Sequence, residues 1–133
     1  MLAMLCSALL AGRLAAEMPA SDVVELQNHE RISLSAYQAG RSEADKDVRE
    51  NRLIIEIFGL PTPWDGEYAK LLNDRYHIQV RRVAGCIVDE KLVGHAKGYN
   101  EISESEIQHR FGGDVLEKTQ SEVKRHWEET NAK

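Results

Sequence analysis

Cys86 and His95 are the residues of this sequence whose types best suit covalent chemistry. A neutral imidazole beside a thiol can take its proton and generate a thiolate nucleophile. Residues 86 and 95 meet across a hairpin only if its loop has two or four residues, because a three-residue loop changes the parity. The alternative is a small buried cysteine and a histidine that is exposed or bonded to backbone. No third catalytic group is visible, so the alternative is favoured.

A second candidate site, for a ligand, lies at Tyr99 and Asn100. Gly94 and Gly98 precede them and allow a ligand to approach the backbone closely, while tyrosine and asparagine offer polar ends. The simpler interpretation is a twisted strand that enters a turn. Trp64 is either an aromatic lip beside a pocket or a hydrophobic cover over the following helix, and the second is favoured.

Metal and cofactor chemistry have no supporting motif in the sequence. The two cysteines and five histidines show no CxxC, no HExxH and no zinc-site spacing. No GxGxxG or Walker pattern is present, so no nucleotide cofactor is predicted. Glu101, Glu104 and Glu106 lie where a helix is expected to begin, and the helix dipole alone accounts for acidic residues there. We therefore predict neither a metal site nor a cofactor.

The elements that would position these residues centre on residues 52–99. The segment 52–58 is rich in β-branched residues and predicts a strand covered on both faces. A helix is expected over 66–76, capped by Asp65. A strand over 78–88 follows, and 92–99 is expected to return as its hairpin partner. A helical crossover would make the first two strands parallel.

The C-terminal third predicts two packed helices. Ser103 with Glu106 forms a capping box, and Gly112 ends the first helix. Asp114 can cap the second. The fold prediction is α+β, with a small mixed sheet in the order strand–helix–strand–strand followed by these two helices. The predicted core comprises Leu53, Ile55, Ile57, Leu72, Val80, Ile87, Phe111, Leu116, Val123 and Trp127.

The N-terminal third is expected to be a helical arm or a leader. Residues 1–16 have the apolarity of a signal-peptide core, but no basic residue precedes the apolar run and Arg13 lies near its end. The alternative is an Ala/Leu-rich helix that packs on the domain or a partner. Residues 17–50 predict a polar helical linker with a stop at Gly40, and residues 51–133 the α+β domain. Export and a cytoplasmic location stay equally open.

The net charge of −5 argues against general nucleic-acid binding, which needs a basic face. Residues 1–16 are too short to predict a bilayer-spanning helix. Their apolar surface instead favours binding to a protein partner or to a second copy. The absence of a complete catalytic set favours a small non-enzymatic binding or interaction module that acts through the hairpin surface or the N-terminal arm. The alternative function is a small cysteine-dependent enzyme that uses Cys86 and His95.

Overall fold

A computed structural model describes residues 20–132 as four helices and a two-stranded parallel sheet. The chain is mixed helix and strand but mostly helical, which confirms the general class. In chain order the elements are α1 (Ala20–Arg49), β1 (Leu53–Phe58), α2 (Asp65–Tyr76), β2 (Ile78–Ala84), α3 (Glu90–Phe111) and α4 (Val115–Asn131). The expectations for residues 1–16 lie outside the described residues.

The two strands are parallel, as the predicted crossover requires, and α2 forms that crossover. Leu53 pairs with Ile78 at the start of the register. Because side chains alternate along a strand, Leu53 and Ile55 face one side of the sheet and Ile54 faces the other. The first side packs on Leu72 of α2, together with Ile78, to form the larger core cluster. The second side packs on α1 and α3.

The expected return strand over residues 92–99 is wrong, because this segment forms the first turns of α3. Asp89 caps the helix, its side chain accepting a hydrogen bond from the Leu92 amide at 2.7 Å. The capping box at Ser103 is also wrong, since Ser103 is buried in the middle of α3. Glycine is a poor helix former, so Gly94 and Gly98 favour a loosened strand on sequence alone. In the structure they lie in a helix because its contact with α1 has room only for small residues.

Those two glycines, with Gly40, allow α1 and α3 to pack backbone against backbone. A Cβ on Gly98 would lie 2.0 Å from the carbonyl oxygen of Tyr37, and one on Gly40 would lie 2.1 Å from that of His95. His29 contacts Glu90 at one end, Gly94 lies against Ser33 and Gly98 against Tyr37 further along, so α1 and α3 run parallel. The predicted stop at Gly40 is therefore wrong, because Gly40 is a buried contact point inside α1. The division into residues 17–50 and 51–133 stays a prediction.

The free edge of β1 is covered by α3 through side-chain hydrogen bonds. The Asn100 amide accepts from the backbone N–H of Glu56 at 2.8 Å and donates to its carbonyl at 2.7 Å. The Ser103 hydroxyl donates to the Ile54 carbonyl. These bonds supply partners that a third strand would otherwise provide, which explains how so small a sheet tolerates a buried edge.

The predicted core is largely in place. Leu53, Ile55, Leu72 and Val123 are buried, and four further members are partly buried. Two members are wrong: Ile87 is 90 % exposed and Phe111 is 39 % exposed. The error at Ile87 follows from the shorter second strand, which ends at Ala84 rather than at residue 88.

The end of α3 and the position of α4 agree with the predictions. Gly112 ends α3 at a positive φ of 101°, a conformation that glycine adopts at little cost. Asp114 is the N-cap residue of α4, although its side chain makes no capping hydrogen bond. Within residues 20–132, no helix has both the length and the apolar character needed to cross a membrane.

Candidate functional site

A cleft of about 500 Å³ opens where β2 meets the beginning of α3 and the last third of α1. Arg81 and Val83 of β2 form one wall, and Leu92 and His95 of α3 form another. This charged cleft is lined by Glu43, Glu56, Arg81, Val83, Asp89, Lys91, Leu92 and His95. Its lining combines six ionisable groups with two aliphatic side chains, so it is more polar than most small-molecule sites.

Glu56 forms the floor of the charged cleft and is its most buried charge, with only 2 % of its side chain exposed. It interrupts an otherwise apolar strand, on the face that Ile54 shares. A buried carboxylate is tolerated only when it is paired and hydrogen-bonded. Arg81 and His95 supply these partners, while Asn100 holds the Glu56 backbone.

Arg81 joins the floor of the cleft to its rim. Its Nη2 donates to Glu56 Oε1 at 2.6 Å and to Glu43 Oε1 at 3.0 Å. Burial opposes its charge, but the hydrogen bonds to these two carboxylates outweigh that effect and raise the pKa of Arg81. The guanidinium lies over the ring of Tyr99, with Cζ 4.8 Å from the ring centroid. Among the described residues, none accepts a hydrogen bond from Arg81 Nε, which is buried.

His95 faces a carboxylate from each of its ring nitrogens. Nδ1 is 3.2 Å from Glu56 Oε2 and Nε2 is 3.1 Å from Glu43 Oε2. A neutral imidazole has one N–H donor, whereas an imidazolium has two, so only the protonated ring can donate to both carboxylates. The ring also stacks on Tyr99, with centroids 6.3 Å apart and an interplanar angle of 22°.

Tyr99 contacts both Arg81 and His95 through its ring. It is fully buried, and its hydroxyl donates to Asp47 Oδ2 at 2.6 Å. Burial and the neighbouring Asp47 carboxylate raise the pKa of Tyr99 well above its ordinary value. Burial alone would raise the pKa of Asp47, but hydrogen bonds from Tyr99 and Arg52 outweigh it and lower that pKa. Asp47 therefore anchors the aromatic support as a carboxylate.

The structure places the two residues of the predicted catalytic pair in different elements. Cys86 is an exposed free thiol in the loop after β2, whereas His95 lies in α3 with both nitrogens occupied by carboxylates. The hairpin that would have set them opposite each other does not form, because residues 92–99 are helical. A catalytic role for either residue stays a prediction.

The predicted ligand-binding residues contact other parts of the protein. Tyr99 is bonded to Asp47 and Asn100 to the backbone of β1. Trp64 precedes α2 and packs on Trp127 of α4 with ring centroids 5.5 Å apart. Their ligand-binding roles stay predictions.

Sequence reasoning missed Glu43, Glu56 and Arg81 as members of a site. The available signal was Glu56, a carboxylate in the middle of an apolar strand, because such a charge requires partners. On sequence alone, the adjacent pair Arg81 and Arg82 indicates a solvated edge. Glu43 could not be connected to them without knowing that α1 packs along α3.

Metal binding receives no support from the described part of the chain, where no group of three or more His, Cys, Asp or Glu side chains has suitable geometry. Comparison of the chain with models of protein families, with curated proteins and with solved structures found no match. A function must therefore be inferred from the charged cleft itself.

Proposed function

We propose that this protein is a non-enzymatic binding module that takes up a small polar molecule in the charged cleft. The observation that supports this most directly is the buried Glu56, which fixes Arg81 and His95 beneath an open cleft. Well-packed apolar residues often replace a buried ion network without loss of stability. A network retained beside a cleft is therefore better explained by recognition than by stability.

The elements around the cleft also favour binding. Val83 lies near the carboxyl end of β2, and Asp89, Lys91 and Leu92 lie where the chain continues into α3. Regular elements carry Glu43, Glu56, Arg81 and His95, so the site has a rigid scaffold, which lowers the entropic cost of binding.

Two-dimensional ¹H–¹⁵N NMR can test the proposal with separate additions of small carboxylates, phosphates and primary amines at millimolar concentration. We expect at least one class to shift amide signals of Val83, Leu92 and His95 in a saturable way. Leu92→Trp should block the cleft and abolish the response. The matched control is Leu71→Trp, because Leu71 is also partly buried but lines a separate depression between α2 and α4. If all three classes leave these signals unchanged, the proposal is wrong.

The competing hypothesis is a cysteine-dependent enzyme that uses Cys86 and His95. It predicts a thiol pKa that is strongly depressed and that returns to its ordinary value in His95→Ala. Alkylation rates of Cys86 measured across pH would reveal such a shift. An ordinary thiol reactivity, unchanged by the substitution, would leave the binding proposal ahead.

We also propose that residues 1–16, where they are retained, bind a protein partner or a second copy of the chain. The support is the apolar composition of this segment, which would be costly to leave exposed. This proposal concerns a part of the chain distinct from the charged cleft and is tested separately.

A further inference from the structure

We infer that Arg81 and His95 form a carboxylate-binding site, and that Glu43 of α1 occupies this site as an intramolecular ligand. This inference rests on the proposed binding function and names the chemical class of its ligand. The two oxygens of Glu43 contact two different nitrogens, Arg81 Nη2 at 3.0 Å and His95 Nε2 at 3.1 Å. A free carboxylate could accept the same two hydrogen bonds.

Glu43 and Glu56 differ in how firmly they are held. Glu56 is buried and fixed by the backbone contacts of β1, whereas 43 % of the Glu43 side chain is exposed. The described residues contribute no further donors to Glu43. An exposed ion pair contributes little to stability, so a carboxylate ligand can displace Glu43, while Glu56 continues to orient Arg81 and His95 from below.

The side-chain groups that become exposed when Glu43 is displaced determine which ligand charge the cleft favours. Rotation of Glu43 into solvent would expose Arg81 Nη2, a hydrogen-bond donor, and His95 Nε2, which donates when it carries a proton. Guanidinium groups bind carboxylates through strong charge-assisted hydrogen bonds. A protonated amine carries only hydrogen-bond donors and cannot accept a bond from Arg81 or His95. The two nitrogens therefore favour an anionic acceptor.

The remainder of the cleft favours a carboxylate with a short apolar tail. Val83 and Leu92 line the cleft beside the two donors, and both are partly buried. Burying a methylene group raises affinity by up to about fourfold. Butyrate should therefore bind more tightly than acetate, by up to about fifteenfold for its two additional methylenes.

Glu43→Ala provides the direct test, because it removes the internal carboxylate and leaves both donors. Alanine preserves the helix. We expect sodium acetate to stabilise this variant against urea more than sodium chloride does at equal ionic strength. The folding equilibrium constant should double when acetate equals its dissociation constant and should rise about elevenfold at ten times that concentration. Wild-type protein should need higher acetate concentrations, because Glu43 competes.

Glu122→Ala is the matched control. Glu122 also accepts hydrogen bonds from an arginine, Arg75 at 2.7 and 2.8 Å, and its side chain is 42 % exposed. Because this variant keeps Glu43, acetate should stabilise it only as weakly as it stabilises wild-type protein. A second variant, Glu43→Ala combined with Arg81→Gln, should lose the acetate response. An equal response in the control or in the double variant would mean that acetate binds elsewhere, and would overturn the inference.

Glu43→Gln provides a check if the alanine variant folds poorly, because glutamine keeps the shape of the side chain and removes its charge. Butyrate should shift the His95 signals of this variant at a lower concentration than in wild-type protein. Unchanged His95 signals at saturating butyrate would refute the inference.

The two proposals can fail separately. If amines or phosphates bind the cleft and acetate does not stabilise Glu43→Ala, the carboxylate inference is wrong but the proposed binding function stands. If Glu43→Ala binds acetate and wild-type protein responds to none of the three classes, the site is a carboxylate site that Glu43 keeps closed, and the proposed function is wrong.

Discussion

Gly40→Ala is expected to destabilise the protein and to disturb the charged cleft, although it adds only one methyl group. Gly40 lies where α1 meets α3, one helical turn before Glu43. The added Cβ would lie 2.1 Å from the carbonyl oxygen of His95 and 2.9 Å from the amide nitrogen of Tyr99. Both neighbours are helix backbone, which cannot rotate away as a side chain could.

The size of the effect follows from two opposing terms. Ordinary contact begins near 3.4 Å, so the two helices must separate locally by about 1.3 Å. Overpacking of this kind costs typically 1–3 kcal/mol, and a rigid backbone neighbour places this site near the upper end. Alanine is favoured over glycine inside a helix by about 1 kcal/mol. The net loss is therefore about 2 kcal/mol, which lowers the unfolding midpoint by about 8 °C for a domain of this size.

Thermal unfolding followed by circular dichroism measures this loss, and Gly66→Ala is the matched control. Gly66 lies in the first turn of α2, where an added Cβ would meet no tertiary neighbour among the described residues within 4 Å. Alanine there should leave stability unchanged or raise it by up to about 1 kcal/mol. The NMR signals of His95 should shift in Gly40→Ala and stay constant in Gly66→Ala. Equal or greater stability of Gly40→Ala would refute the close packing proposed for this site.

Three further predictions concern other parts of the structure. The Asp47 pKa lies below its ordinary 3.8, so this carboxylate stabilises the fold above pH 3.8 and loses that effect as pH falls through the lowered pKa. The free energy of unfolding of Asp47→Asn, measured in urea, should therefore approach that of wild type at acid pH. A difference that stays constant with pH would contradict this. Asn100→Ala leaves the Glu56 backbone groups unpaired and should lower the free energy of unfolding in urea by about 2–4 kcal/mol. Asn131→Ala, which removes an exposed contact, should lower it little. Equal losses of stability would refute the role of Asn100 in covering the edge of β1. Deleting residues 1–16 should weaken self-association in sedimentation experiments and preserve the unfolding midpoint, and identical monomeric behaviour of both chains would exclude self-association through this segment.

Local sequence signals predicted the elements correctly where the periodicity of the segment itself determines its structure. The β-branched run at 53–58 and the helical crossover predict two parallel strands, and Gly112 marks the end of α3. Local signals failed at Gly40, Gly94 and Gly98. The sequence does not distinguish a glycine that allows two helices to pack closely from a glycine that ends a helix or loosens a strand. Ser103 failed for a similar reason, since its hydroxyl serves the edge of β1 rather than a helix start.

The candidate site was less predictable because its charged residues are distant in sequence. Glu43 and His95 are 52 positions apart, and Glu56 and Arg81 are 25 apart. Their meeting depends on the parallel packing of α1 on α3 and on the register of β1 with β2. His95 was the one member recognised as chemically important. Its pairing with Cys86 stays a prediction, although the hairpin expected to set the two residues opposite each other is replaced by a helix.

The close contact between α1 and α3 also explains how Glu43 can be exchanged without moving either helix. Gly40 and Gly98 hold the two backbones together through contacts that do not involve the Glu43 side chain. Rotation of Glu43 therefore breaks its hydrogen bonds to Arg81 and His95 and leaves the helix contact intact. Glu56, Tyr99 and the sheet continue to hold both donors in place. A carboxylate that enters the cleft would thus meet a preorganised site, and its main competitor would be the half-exposed Glu43.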